Sequence, residues 1–206
     1  RLRGLESTAS PSIPARPSPS ASIQILEQQI FRISESPSAF LFGKVKNTSS
    51  EYGFRFRYSF LLYGAGGEEL MQSSGEASVA PAKETLIART EPGLSSREVE
   101  SVSLQIQHAE EIPAHEFPEL SLSFSREPYV EILESERAMR VRGAVRNESG
   151  TLFPEVRAVA VLRDSFGFQA FVSGTILSNL RSFSEKSFEI QVPYDAALLR
   201  AAREGG

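Results

Sequence analysis

The stretch "GKVKNTSS" at Gly43–Ser50 returns one hundred positions later as "GAVRNESG" at Gly143–Gly150. Gly, Val, Asn and Ser stand at the same places in both copies. The correspondence extends beyond the phrase, since Arg57, Leu62 and Gly67 match identical residues at 157, 162 and 167. With 206 residues, the chain is long enough for two domains of about one hundred residues each. The repeat therefore predicts two tandem copies of one domain.

Both copies contain stretches in which apolar and polar residues alternate. In "GFRFRYSFLLY" one face carries Phe54, Phe56, Tyr58, Phe60 and Leu62. In "AMRVRGAVRN" one face carries Met139, Val141, Gly143 and Val145. A period of two is typical of half-buried antiparallel strands. We expect an all-β fold of two immunoglobulin-like antiparallel β-sandwiches, with these large apolar residues in the cores.

Further strands are expected near residues 70–77, 84–89, 168–175 and 186–192. Gly67 and Gly167 are placed to supply the positive φ of hairpin turns. Asn47 and Asn147 each close a strand, where an asparagine side chain bonds its own chain. In "VRAVAVLRD" both faces are apolar, so the pattern leaves the inward face of this strand open and indicates cover on both sides.

The chain divides into four segments. Residues 1–20 contain four prolines and five serines, a composition typical of a disordered linker. The sandwiches are expected at residues 21–116 and 117–194, with few contacts between them and a boundary near Pro113–Glu119. Residues 195–206, "DAALLRAAREGG", have high helix propensity and predict a short helical tail.

One strand has no clear counterpart in the second copy. Residues 99–106 predict a strand that closes the first sandwich, and its equivalent belongs just past position 200. There the sequence reads "AAREGG", without a β-branched residue. We expect an open edge or a thin core in the second sandwich. Three explanations stay open: a truncated sequence, a helix that covers the gap, which we favour, or a strand donated by a partner.

Composition excludes several classes of protein. The formal charge of −4 provides no basic field for nucleic acid. The chain has no cysteine and therefore no disulfide or thiolate site. Apolar runs are too short to span a bilayer. Since the sequence starts at Arg1 rather than Met, a membrane anchor upstream of Arg1 is expected.

Residue patterns for chemistry are weak. His108 and His115 lie among glutamates, but their spacing fits no helical ligand pair, and Pro113 and Pro118 indicate an extended connector between domains. No Gly-x-Ser-x-Gly elbow occurs, and "GAGGEEL" lacks the ending of a phosphate loop. Glutamate pairs suited to a glycosidase lack tryptophan partners, because the chain has none. We expect no catalytic residue, cofactor, metal or small-molecule ligand.

A basic interaction surface is the one candidate site, formed by Arg55, Arg57, Arg140, Arg142 and Arg146. These arginines lie opposite the apolar faces of their strands. The alternative is a solvated face in which Glu131, Glu134 and Glu136 pair with the arginines of the second copy. Asn47 and Asn147 also begin N-glycosylation sequons, which we interpret as coincidental.

The repeated pattern resembles the FxLyD type of immunoglobulin-like domain. The residues that carry the resemblance are Gly43, Val45, Asn47, Leu62, Tyr63 and Gly67, and then Gly143, Val145, Asn147, Leu162, Asp164 and Gly167. The first copy has Gly64 where the second has Asp164. With its linker, the chain resembles uncharacterised membrane-anchored envelope proteins of small-genome bacteria. The resemblance covers about residues 22–192 and implies a fold but no catalytic motif.

These observations favour a non-enzymatic, extracytoplasmic module of the cell envelope. It is expected to be tethered through its N-terminal linker and to act as a spacer or to bind a protein or another envelope component. One alternative is a subunit of a surface appendage or secretion assembly, built by strand exchange. A less favoured alternative is a carbohydrate-binding β-sandwich.

Overall fold

The structure is a computed structural model that describes residues 22–33, 36–95 and 97–204. The predicted linker at 1–20 lies outside the described residues, as do the last two residues of the predicted tail. The first copy forms β1 (Ile23–Phe31), β2 (Ser38–Asn47), β3 (Tyr52–Tyr63), β4 (Glu69–Val79), β5 (Glu84–Pro92) and β6 (Ser101–Pro113). The second forms β7 (Leu122–Leu133), β8 (Ala138–Asn147), β9 (Phe153–Arg163), β10 (Gln169–Leu180), β11 (Glu185–Val192) and α1 (Ala196–Glu204).

The strands form four sheets, in which every neighbouring pair is antiparallel. The first copy contributes the sheets β1-β2-β5 and β4-β3-β6. The second contributes β11-β8-β7 and a two-stranded sheet, β10-β9. The predicted fold is confirmed: the chain is all-β, built of tandem immunoglobulin-like antiparallel sandwiches with a short C-terminal helix. In the described part of the chain, no helix has the length and apolar character needed to span a membrane.

The predicted core residues are buried. Exposure is 1% or less for Phe56, Tyr58, Phe60 and Leu62, and at most 7% for Met139, Val141 and Val145. In the first sandwich the residues of β3 pack against Leu41 and other residues of the facing sheet. The hairpin prediction is also confirmed, since Gly67 and Gly167 have φ angles of 79° and 83°. Alternation in these strands therefore identified the inward faces correctly.

The repeated asparagines fix the loop after β2 and the loop after β8. Asn47 is fully buried, and its Nδ2 donates to the carbonyl oxygens of Tyr52 at 2.7 Å and Ala80 at 3.1 Å. Asn147, also fully buried, donates to Thr151 at 2.7 Å and Arg181 at 3.1 Å. Each Oδ1 accepts the backbone N–H two residues later. Because each amide holds two segments together, the repeat requires Asn here, and a glycan could not be attached in the folded protein.

The two copies share a core, so the expectation of few contacts between them is wrong. The ring of Phe171 lies edge-on to Phe40, with centroids 4.9 Å apart, and edge-on to Phe31 at 5.7 Å. Phe42 and Ala88 of the first copy belong to the same buried cluster as the core of the second copy. The reason is that β2 buries both of its faces, one inside its own sandwich and one against the second copy.

Strand β9 presents opposite faces to the two copies, which the sequence pattern could not assign. Its partner strand places Gly174 beside Val159, and a Cβ on Gly174 would lie 3.5 Å from the Cβ of Ala88 in the first copy. Val159 therefore faces the first copy. Ala158 and Ala160 face the interior of the second sandwich. The expected cover on both sides of this strand is confirmed, although most of its residues are only half-buried.

The segment around the predicted boundary is more ordered than a connector. β6 runs on to Pro113, so His108 lies inside this strand, at a bulge where its φ is 47°. The prediction of an extended connector is wrong for this residue. A turn follows, and the ring of Phe117 packs directly on Gly53 of β3. The predicted boundary between residues 116 and 117 falls within this packed turn.

The spacing of the repeat changes from 100 to 101 within the second copy. Ser178 pairs with Glu155 as Ser78 pairs with Arg55, an offset of 100. In the next strand Phe188 pairs with Gly143 as Ile87 pairs with Gly43, an offset of 101. The extra residue lies close to Asn179, whose φ is 55°.

Candidate functional site

The five predicted arginines lie on two separate sheets. Arg55 and Arg57 belong to β3, and the other three belong to β8. In each strand they alternate with buried residues and point away from the core. The structure therefore divides the predicted surface into two arginine groups, one on each copy.

Each of these arginines has a glutamate within 4 Å. Arg142 lies between Glu189 of β11 at 2.8 Å and Glu131 of β7 at 3.0 Å. The hydrogen bond to Glu189, assisted by the charge of Glu131, raises the pKa of Arg142 above its ordinary value, against the effect of desolvation. Arg140 lies 3.5 Å from Glu136. Arg140 also lies 3.7 Å from Glu189 of β11. The contacts to Glu131 and Glu189 are the cross-strand pairs expected of a solvated face, whereas Glu136 belongs to the turn before β8.

The remaining arginines are paired with glutamates at more exposed positions. The pairs are Arg55–Glu110 at 3.9 Å, Arg57–Glu76 at 3.1 Å and Arg146–Glu148 at 3.5 Å. Glu134, which we expected to pair with an arginine of β8, instead binds Arg203 of α1 at 2.6 Å. An acidic partner would have to compete with these glutamates. Binding of a partner at the arginines stays a prediction.

The histidines do not assemble a metal site with the glutamates around them. His115 lies 3.4 Å from Glu116 in the turn after β6, whereas His108 is in the strand. Within the described residues, no group of three or more His, Asp or Glu side chains is placed to hold a metal ion.

A second candidate site lies at the edge of β9. In the first copy, the central strand β3 has β4 on one side and β6 on the other. In the second copy, β9 pairs with β10, and no strand of the described chain pairs with its other side. The expectation of an open edge is therefore confirmed. Backbone N–H and C=O groups along such an edge are available to another strand.

The side chains behind this edge are smaller in the second copy. The aromatic residues of β3 are replaced at the same positions of β9, as Phe56 by Val156, Tyr58 by Ala158 and Phe60 by Ala160. A cavity of about 270 Å³ lies there. Its lining is mainly apolar and includes Val141 and Val145 of β8 and Phe188 of β11. Phe124 of β7, 55% exposed, stands at the margin of this cavity.

Helix α1 docks on the second sandwich, where it contacts β9 but adds no strand to its sheet. Leu198 and Ala201 are buried, each 3% exposed, and the helix contacts β9 and β10. Asp195 begins the helix, since its Oδ1 accepts the N–H of Ala197 at 2.9 Å. No residue of α1 lines the cavity. The predicted docking of the tail as a helix is confirmed, but α1 adds no strand to β9 and leaves the cavity beside Ala160 without a residue of its own.

Sequence reasoning missed the residues around this cavity. The signal was present, because three aromatic residues of the first copy are aligned with Val or Ala in the second. The inward face of "VRAVAVLRD" had to be known before this loss of volume could be interpreted.

Comparison with known proteins adds little to this picture. No protein-family model matches the chain, and no curated protein matches it. A crystal structure of red sea bream transglutaminase is similar over 84% of this chain, with 11% sequence identity and a TM-score of 0.29. The chain spans about a quarter of that protein's length, since 27% of the transglutaminase is covered. No activity follows from similarity at this level.

Proposed function

We propose that the chain is a non-enzymatic, extracytoplasmic module of the cell envelope that binds another protein and is tethered through its N-terminal segment. The observation that carries this proposal is the distribution of exposed apolar side chains. Large exposed aromatic residues among the described residues all lie in the second copy: Phe124, Tyr129, Phe166, Phe168 and Phe183. Exposed aromatic side chains are enriched where proteins bind one another.

A difference between the two copies in their exposed turns supports this proposal. Phe166 at the β9–β10 turn is 85% exposed and Phe183 is 64% exposed. In the first copy, the corresponding β3–β4 turn reads "GAGGEE" and has no aromatic residue. The first copy and the shared aromatic core fit a rigid spacer, and the second copy fits the binding end. The resemblance to FxLyD-type domains of envelope proteins belongs to this proposal.

Two measurements test the proposal. Cells of the source organism with an intact cytoplasmic membrane are treated with a protease that reaches the outer side of that membrane but cannot cross it. The chain is followed with an antibody. We expect digestion without lysis; protection until lysis would contradict an extracytoplasmic location.

A photo-crosslinking residue is then placed at Phe166 and, as a control, at the exposed Lys83 of the first copy. A discrete cross-linked protein is expected from position 166 only, and its absence would contradict a binding role.

A further inference from the structure

We propose that the open edge of β9 accepts a strand supplied by a partner protein, with an aliphatic side chain at every second position. The strand would run antiparallel to β9 and would place one aliphatic side chain in the cavity beside Ala160. This inference rests on the proposed protein-binding function and specifies the chemistry of the partner.

In the first copy, the corresponding edge of the central strand β3 is paired with β6. There β6 runs antiparallel to β3, with Leu104 opposite Phe60. Leu104 is 3% exposed, and its backbone N–H donates to the Oε1 of Gln28 on β1 at 2.7 Å. Strand β6 therefore pairs with β3 along one edge, bonds Gln28 of β1 through the N–H of Leu104, and inserts the Leu104 side chain between the two sheets.

In the second copy, the position beside β9 that corresponds to β6 is occupied by no strand of the described residues. β7 corresponds to β1, and the cavity is bounded by β7 on one side and β9 on the other. With the repeat offset of 101, the residues of α1 align with residues 95–103 of the first copy, which are the loop before β6 and its first residues. In the second copy this segment is a helix and not a strand. Ala160 stands where the first copy has Phe60, which leaves added room for an incoming side chain.

A bound strand would gain stability from two sources. Its backbone would pair with the free edge of β9, as in other complexes formed by strand addition. Its inward side chains would be removed from water against Val156, Phe188 and other apolar residues of the cavity. The exposed ring of Phe124 would be covered at the same time.

A second copy of this chain is a poorer occupant than a partner strand. If two β9 edges paired, the inward residues brought to each cavity would be those of β9 itself, Val156, Ala158 and Ala160. These small side chains would fill the cavity incompletely. A strand patterned like Val102, Leu104 and Ile106 supplies larger aliphatic groups at the required spacing.

The test uses a synthetic peptide with the sequence of β6, residues 101–113, as the probe. Binding to the 206-residue protein is measured by calorimetry, and a peptide carrying Leu104→Asp is the matched control. We expect saturable binding of the first peptide and binding at least tenfold weaker for the second. Hydrogen exchange should show new protection of amides in β9 and no change in β3, whose edges are already paired.

Two protein variants locate the site. Ala160→Leu places a side chain in the cavity and should weaken peptide binding at least tenfold. Ala197→Leu makes the same chemical change on the exposed surface of α1 and should leave binding unchanged. If Ala160→Leu does not fold, as judged by circular dichroism, the control peptide and the exchange pattern decide.

Three results would overturn the inference: no saturable binding, equal binding of both peptides, or protection outside β9. A dimer that forms through β9 and is not dissociated by the peptide would identify a second copy as the occupant, which also overturns it. Each result is separable from failure of the proposed function. Cross-linking from position 166 without peptide binding would preserve a binding role and reject the strand.

Discussion

The ring of Phe171 meets the ring of Phe40 edge-on, with centroids 4.9 Å apart, and this contact joins the two copies of the repeat. Phe171 is fully buried and Phe40 is 6% exposed. Because the contact crosses from one sandwich to the other, the copies are expected to unfold together. The two copies are therefore joined by a shared core.

The first prediction concerns this aromatic contact. Phe171→Ala should lower the free energy of unfolding by about 3–5 kcal/mol, because a large buried side chain is replaced by a small one. In a double-mutant cycle with Phe40→Ala, we expect a coupling energy of about 0.5–1.5 kcal/mol. Urea denaturation followed by circular dichroism measures both quantities. Strict additivity of the two substitutions, or two separate transitions in the unmodified protein, would contradict coupling between the copies.

The second prediction concerns the buried asparagines. Asn147→Ala removes the amide that bonds Thr151 and Arg181 and leaves buried backbone groups without partners. We expect a loss of about 1–3 kcal/mol in the free energy of unfolding. Thr48→Ala, at an exposed position of the equivalent loop, is the control and should have a smaller effect. A value for Asn147→Ala no larger than that of the control would mean that the bonds contribute nothing net.

The third prediction concerns the docking of α1. Leu198→Ala should destabilise the protein by about 2–5 kcal/mol, because Leu198 is buried against the core of the second sandwich. Arg200→Ala, on the exposed side of the same helix, is the matched control and should change little. Thermal unfolding of both variants measures the difference. Equal melting temperatures for the two variants would show that the helix is a passive end.

Removal of the whole tail carries the fourth prediction. Deletion of residues 195–206 should destabilise the chain and promote self-association, since apolar surface of the second sandwich beside an already open edge becomes exposed. Light scattering after size-exclusion chromatography, over a range of concentrations, measures this. A deletion variant that stays monomeric and equally stable would contradict the role assigned to α1.

The fifth prediction concerns pH and the pair formed by Lys44 and Glu84, whose side chains lie 2.7 Å apart. The hydrogen bond from Lys44, assisted by its charge, lowers the pKa of the Glu84 carboxyl below its ordinary value. A lowered pKa in the folded state means that the pair stabilises the fold at neutral pH. This contribution is lost as the pH falls through the folded pKa of Glu84.

Glu84→Gln tests this pH dependence. The midpoint of urea denaturation should differ between the variant and the unmodified protein at pH 7, and the difference should shrink as the pH is lowered past the Glu84 pKa. Glu127→Gln, at an exposed position of β7, is the control. A difference that is the same at pH 7 and pH 3 would rule out the ion pair as its source.

The success of the sequence analysis in β3 and its failure in β9 have one physical cause. In β3, apolar residues such as Phe56 and Phe60 alternate with Arg55 and Arg57, because one face is buried and the other is wet. Alternation of apolar and polar residues is the pattern that such one-sided burial leaves in a sequence. In β9 one face lies toward the first copy and the other toward the second sandwich, so residues 158–162 are apolar on both faces and carry no record of direction.

The candidate sites show the same limit. The arginines of β8 could be placed on an outward face from alternation, and the pairing of Arg142 with Glu131 follows from cross-strand neighbours. The cavity beside Ala160 could not be predicted in this way. Its existence depends on Phe188 and Val145 from other strands, whose distance from Ala160 is set by sheet packing.

The sequence by itself determined the repeat, the positions of most strands but not of β1 or β7, the hairpin glycines and the asparagines that close β2 and β8. These features depend on neighbours along the chain or on one-sided burial, which leave a local pattern. Only the tertiary structure decided that β2 is buried on both faces, that Phe171 reaches Phe40, and that one edge of β9 is open beside a cavity. Each of these results depends on which surfaces distant segments bring together, and the residues involved carry no local mark of their partners.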